Sequence, residues 1–204
     1  SIGAMASQGL TSLANQWTFA EESAAKHGNS VSRNKWRVLM SWHIAETRDQ
    51  ARAEAKDGLF RHVNEYTTGT LNPVDGKTFK TPDEAVDATA FSDNSTAVIG
   101  TPNDLINKIH EMVEVTGGFG AVIGFAHDWA NRENTKKSWD LVARYVIPEI
   151  NSMLDDYKDS LDFVINNRET WLRAKDATSS NVSEHESAAK VMETEGLAGE
   201  KSKN

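Results

Sequence analysis

Trp36-Arg37-Val38-Leu39-Met40-Ser41-Trp42-His43-Ile44 is a mostly apolar run with neither Gly nor Pro. Thr47-Arg48-Asp49-Gln50 follows and opens a helical pattern in which Ala51, Ala55, Leu59, His62, Val63 and Tyr66 recur at spacings of three and four. A continuous apolar run of this length reads as a strand covered on both faces, as parallel strands are. Strand followed directly by helix is the unit of an α/β fold.

The same alternation extends outward. Upstream, Ser7 to Lys26 is helical by pattern, with Leu10, Leu13, Ala14, Trp17, Ala20 and Ala24 on one side and Gly28 just beyond the end. Downstream, residues 67–95 dissolve into Thr, Gly, Asn, Pro and Asp, with a short helix near Pro82 to Ala90. So long an interruption between regular elements is uncommon and reads as a lid, a binding loop or a disordered segment. Thr96 to Gly100 is a short strand, and Thr101-Pro102-Asn103-Asp104 starts a helix, with Thr at the N-cap, Pro in the first turn and Asp three residues after the cap. Leu105, Ile109, Met112 and Val113 form its apolar stripe, and Gly117-Gly118 stops it. Gly120 to Ala126 is a second buried strand. A last helix should bury Trp139, Val142, Tyr145, Val146 and Ile150.

About three parallel strands with helical crossovers are expected, fewer than the eight of a closed barrel, which takes roughly 250 residues. Residues 1–175 form the ordered part, and 176–204 a flexible polar tail with at most a weak helix around Ser183 to Glu193. The chain has 204 residues and a formal charge of −8, which disfavours binding to nucleic acid because phosphate neutralisation needs clustered Lys and Arg. It has no cysteine, which removes disulfides, thiolate zinc sites and cysteine nucleophiles together. No apolar run approaches the roughly 20 residues of a membrane span, and a cytoplasmic protein without membrane partners is expected.

In parallel α/β sheets ligands sit at the C-terminal ends of the strands. That rule selects Ser41, His43 and Glu46 after the first long strand, and His127, Asp128 and Trp129 after the last. His127 is the stronger catalytic candidate, since an imidazole there can donate, accept or titrate. His43 is either a second one or a half-buried strand residue bonded to backbone. Asp128 reads as a cap for the next helix. Ser41 and Trp129 are candidates to line a substrate site. His27, His43, His62, His110, His127 and His185 form no HxH or HExxH pair, so no metal site is expected. Gly117-Gly118-Phe119-Gly120 follows a helix and precedes a strand, the wrong context for a phosphate-cradling turn.

Several blocks together resemble the bacterial-luciferase-like flavin-dependent monooxygenases, especially limonene- and alkane-type members. They are Ser1-Ile2-Gly3-Ala4, Val98-Ile99-Gly100-Thr101-Pro102-Asn103-Asp104-Leu105, Gly117-Gly118-Phe119-Gly120, His127-Asp128-Trp129-Ala130 and Trp139-Asp140-Leu141-Val142-Ala143-Arg144-Tyr145-Val146-Ile147-Pro148. The resemblance runs from Ser1 to about Ile150 and covers the C-terminal half of that family. It implies the C-terminal part of a (β/α)₈ TIM barrel. It further implies a flavin monooxygenase that takes reduced FMN from a flavin reductase and inserts one oxygen atom of O₂ into a small organic substrate. Ser1, Ile2 and Gly3 would then lie beside the flavin ring, residues 67–95 would be the mobile lid, and Ser41, His43 and His127 would line the substrate side. The full-length protein would be a homodimer or larger. Two other readings share the fold: a deazaflavin-dependent reductase, and a non-catalytic barrel remnant that binds flavin or a partner protein.

Overall fold

The computed structural model describes residues 2–5, 9–71, 76–152 and 162–184. They fall into two units, Ser1–Ser152 and Met153–Asn204. The first unit is built on β2, Trp36–Ile44, the run quoted above. β1, Ile2–Met5, pairs in parallel with Trp36–Leu39. β4, Ala121–Phe125, pairs in parallel with Arg37–Ser41. β3, Val98–Gly100, pairs in parallel with Trp42–Ile44. β1 and β4 share partners on β2, so they must flank it on opposite edges. The sheet thus has four strands and not about three. Ile2–Met5 is too short to show a periodicity of its own, and only its pairing with β2 makes it a strand.

Alternation along β2 decides where the core lies. Trp36, Val38, Met40 and Ile44 face a core closed by Leu10, Leu13 and Trp17 of α1 (Leu10–Lys26), Leu105, Ile109 and Met112 of α4 (Pro102–Thr116), and Val142 and Val146. On the opposite face Arg37, Leu39 and Ser41 are only half-buried. The expectation of a strand covered on both faces therefore holds for one face. The same correction applies to β4, where Ile123 is 44% and Phe125 40% exposed. The pairing register sets them opposite Leu39 and Ser41, on the face the described residues leave partly open.

A second cluster sits at the C-terminal end of β2. Ala51, Ala55 and Leu59 of α2 (Arg48–Arg61) pack with Ala45, Ile99, Trp129 and Val86, the last on α3 (Pro82–Ala90). Arg52 clasps α3 through Asp83 at 2.9 Å and Asp87 at 2.7 Å. After Arg61 the chain widens into a π-helical run, His62–Leu71. Asn64 then holds both backbone groups of Phe79, accepting from its N–H at 2.9 Å and donating to its carbonyl at 3.0 Å.

The helix starts and stops follow local chemistry. Thr101 and Asp104 form the reciprocal capping box, and Gly117 ends α4 with φ 74°, a conformation that favours glycine. Arg33 bonds the carbonyls of Thr116 and Gly118 while its guanidinium lies 4.6 Å above the Trp17 ring. α5, Arg132–Leu141, is capped by Asn131, whose side chain accepts from the Asn134 N–H at 2.9 Å. Asp128 is therefore not the cap. α5 continues through a π turn, Val142–Val146, into α6, Ile147–Ile150. Pro148 has no N–H to return to the preceding turn, which suits the wider spacing there. The wide turn also rotates Tyr145 outward to 56% exposure, against the expectation that it is buried; Val113 on α4 is likewise 40% exposed, at the margin of its stripe.

In the second unit, 162–166 is helical and α7 spans Arg168–Glu184. α7 crosses the 175/176 boundary read from the sequence, and most of the weak helix expected at Ser183 to Glu193 lies outside the described residues. Among the described residues no helix is long and apolar enough to cross a membrane.

The end of β2 depends on one side-chain bond. The Ile44 N–H donates to Ser138 Oγ at 2.8 Å, and Ser138 is 2% exposed. Ser138→Ala leaves that buried N–H without an acceptor and should cost about 1–3 kcal/mol, read as a lower urea midpoint with an unchanged m-value.

Candidate active site

Ser41 and His43 lie two residues apart on β2, so both belong to the partly open face. β4 pairs with Arg37–Ser41, which carries the chain immediately after β4 to the same edge. There Ser41 Oγ and His127 Nε2 are 2.8 Å apart. The His127 ring stacks on Phe125 at 4.9 Å and 10°, and on Trp129 at 4.9 Å and 6°. His62 meets it at 4.7 Å and 60°, and Tyr66 lies 5.4 Å beyond His62.

His127 is thus held by side chains from three segments, and among the described residues its hydrogen bond is to a hydroxyl. Its pKa is pushed down to about 4, first by burial, next by the neighbouring His62, with Asp128 acting in the opposite sense. Burial lowers the His62 pKa as well, again opposed by Asp128. Both rings are therefore neutral at pH 7, and the edge is aromatic, with Asp128 the acid whose charge acts on both rings.

His43 takes a different partner. It is 3% exposed, and its Nε2 lies 2.8 Å from Glu54 Oε2, while Glu54 Oε1 accepts from Gln50 Nε2 at 2.8 Å. The alternative of a strand histidine bonded to backbone is thereby set aside. Glu54 also lines a cleft of about 320 Å³ with Ile44, Glu46, Lys137 and Arg144.

Of the residues selected from the sequence, Ser41 and His127 are brought together and His43 joins a separate pair. Trp129 is 4% exposed, so it backs the His127 ring and packs on α2. Ile2 and Gly3 lie in β1, paired with Trp36 and Arg37. Ser1 lies outside the described residues. The sequence reading missed Glu54, His62, Tyr66 and Phe125 as site residues. The first three sit on a helix, where nothing in their spacing separates a site residue from a surface one. Phe125 reads as strand core until the pairing register exposes it. Among the described residues no cluster of His, Asp and Glu suits a metal ion.

Comparison with known proteins defines the class. No family model matches the chain. It is 39% identical over 155 residues to 4-hydroxyprotoasukamycin monooxygenase of Streptomyces nodosus subsp. asukaensis, covering 74% of this chain and 40% of that protein. It is 33% identical over 154 residues to limonene 1,2-monooxygenase of Rhodococcus erythropolis, covering 76% and 38%. Among solved structures it resembles the oxygenating constituent of 3,6-diketocamphane monooxygenase of Pseudomonas putida, a type II Baeyer–Villiger enzyme in complex with FMN. That likeness has a TM-score of 0.54 at 22% identity and covers 72% of this chain and 42% of that one. A monooxygenase of Streptomyces bottropensis aligns with TM-score 0.52 at 14% identity, covering 74% and 42%. The chain spans about 40% of the length of the curated relatives it matches. These are oxygenases that share this parallel α/β arrangement. Over about three quarters of its own length the chain is similar to monooxygenases of the luciferase-like type.

The depressed histidine predicts a pH dependence of stability. Between about pH 4 and 6.5 the unfolded chain holds a proton on His127 that the folded chain lacks, so stability falls as pH drops through that window and the contribution levels off below it. Asp104, whose pKa Arg48 pulls down to about 2, acts only below that range. The Tm measured from pH 7 to 4 should fall, and His127→Gln should flatten the profile.

Proposed function

We propose that this chain is the C-terminal part of a (β/α)₈ barrel monooxygenase that uses reduced FMN and O₂ to oxygenate a small apolar organic substrate. The observation that carries the reading is the Ser41–His127 pair, set in an aromatic edge at the strand C-terminal ends. The proposal also includes, as the sequence resemblance implies, a flavin reductase that supplies the reduced cofactor and a whole protein that is at least a dimer.

The side chains present fit one part of the cofactor. Phe125 is 40% exposed and stacked on His127, so its outer side suits a flat ring system, and the indole N–H of the buried Trp129 has no acceptor. They do not fit the phosphate. The α4 N-terminus, which follows a strand, is filled by the Asp104 carboxylate, which accepts from Thr101 N–H at 2.8 Å and pairs with Arg48. A phosphate there would meet a like charge, so the α4 N-terminus is not a phosphate site, and we assign the phosphate-holding groups to other parts of the protein. When bound, reduced FMN supplies the reaction with oxygen that no side chain here can perform.

The protein's own contribution is shape and one proton. Leu39, Ile123 and Phe125 offer an apolar surface on the open face for the substrate. His127, neutral at pH 7, lies 2.8 Å from Ser41 Oγ, and a proton accepted at one end of the pair while another is released at the other end leaves the pair uncharged. In this reading Trp129 and Phe125 hold the imidazole in plane, and Ile2 and Gly3 lie toward the cofactor.

Two measurements test this. Riboflavin and FMN should quench and bind the 204-residue chain with similarly weak affinity, because the ring but not the phosphate finds partners; tight stoichiometric FMN binding overturns that assignment. In the assembled oxygenase, His127→Ala should lower turnover about ten- to a hundredfold. Wild-type turnover in that variant would remove His127 from the reaction.

A further inference from the structure

His62 falls on the periodic face of its helix in the sequence but is not selected there as a site residue, and its position beside His127 has an identifiable cause. Gly58 lies one helical turn earlier on α2 and is buried against the backbone of Asp128 and Trp129; a Cβ at position 58 would collide with both of their carbonyl oxygens. Glycine there lets the α2 backbone touch the loop after β4. The residue one turn further on, His62, is thereby delivered to the His127 ring. His62 also begins the π-helical run, and such wide turns occur often at functional sites.

The surroundings of His127 leave little freedom. Phe125 and Trp129 both stack nearly parallel to it, each with its ring centroid 4.9 Å away. Its Nε2 is bonded to Ser41. The His62 ring, inclined at 60°, packs on it at 4.7 Å. An imidazole otherwise chooses between two tautomers and can flip about its side-chain bonds. With two rings stacked on it and Nε2 engaged by Ser41, the packing of His62 bears on whether water reaches the second ring nitrogen.

We propose that His62 is the positioning residue of the Ser41–His127 pair: its ring packs on His127, keeps water from the second ring nitrogen and so fixes one neutral tautomer with Nε2 toward Ser41. The proposal rests on the reading that His127 handles the reaction's proton, but its test does not depend on turnover. The groups facing the two imidazoles are Asp128 from the loop after β4, Ser41 from β2 and Tyr66 from the π-helical run; Asp128 is the one acid whose charge acts on both rings. A neutral ring at position 62 keeps the closure without adding charge, whereas a small side chain admits water.

The experiment is nitrogen NMR of the imidazole side chains in the full 204-residue chain. In the wild type, His127 should show a single neutral tautomer and a titration midpoint well below that of a solvated histidine. His62→Ala should mix the tautomers and raise the midpoint by at least about one pH unit, as water relieves the burial. His62→Phe should keep the single tautomer and most of the depression. Gly58→Ala, which pushes α2 away from the loop, should reproduce the His62→Ala spectrum. If His62→Ala leaves tautomer and midpoint unchanged, the positioning role is wrong, whatever the turnover of His127→Ala shows. If His62→Ala does not fold, identical His127 spectra in wild type, His62→Phe and a folded His62→Gln variant would overturn it equally, since Gln lacks the ring that packs on His127.

Discussion

Every other strand of the described sheet hydrogen-bonds to β2, and this shared partner constrains the rest of the unit. A strand presents alternate side chains to opposite faces, so β2 divides its residues between two tasks. Trp36, Val38, Met40 and Ile44 anchor the apolar core with α1 and α4. Arg37, Leu39, Ser41 and His43 occupy the other face, where β4 and the loop after it arrive. A one-residue slip of β2 would bury Ser41 and His43 among tryptophans and put Met40 and Trp42 at the site. The fold and the chemistry are therefore fixed by the same register, and the burial of Trp36 and Val38 is what holds it.

How much of this was legible in the sequence follows from the range of the interactions involved. Elements set by local chemistry were read closely: the Thr101–Asp104 capping box, the Gly117 stop, the helix from Pro82 to Ala90 and the span of β2 itself. Elements that depend on a partner far along the chain were not. β4 has the composition of a buried strand, yet Ile123 and Phe125 are exposed because only the pairing register reveals which face they share. Tyr145 fits an ideal helical stripe, but the π turn before Pro148 rotates it outward. Asp128 is an eligible cap, and Asn131 three residues later takes the role instead.

The site divides in the same way. His127 and Ser41 were legible because the strand-end rule needs only strand positions, and the rule put both at the same end of the sheet. Their partners were not, since Glu54, His62 and Tyr66 come from α2 and its π-helical extension. Trp129 was selected for the right neighbourhood, but it is a buried backing for His127 and not a free wall. A helix contributes to a site through whichever face packs inward, and that face is decided by contacts, here the close approach at Gly58.

That approach also explains why the imidazoles stay neutral. Burial lowers the pKa of both imidazoles, and at His127 the neighbouring His62, 4.7 Å away, lowers it further. Asp128 works against this, yet the net shift of both rings is downward. A carboxylate hydrogen-bonded to His127 would have favoured imidazolium; the structure gives the carboxylate to His43, through Glu54, and a hydroxyl to His127. The two histidines of the sheet edge are thus differentiated by partner. One is buried against an acid, and the other is kept neutral, stacked on aromatic rings beside an apolar surface. On the proposed reading, a neutral imidazole beside apolar walls suits oxygenation of a hydrophobic molecule, because an imidazolium there would hold water close to the reacting centre.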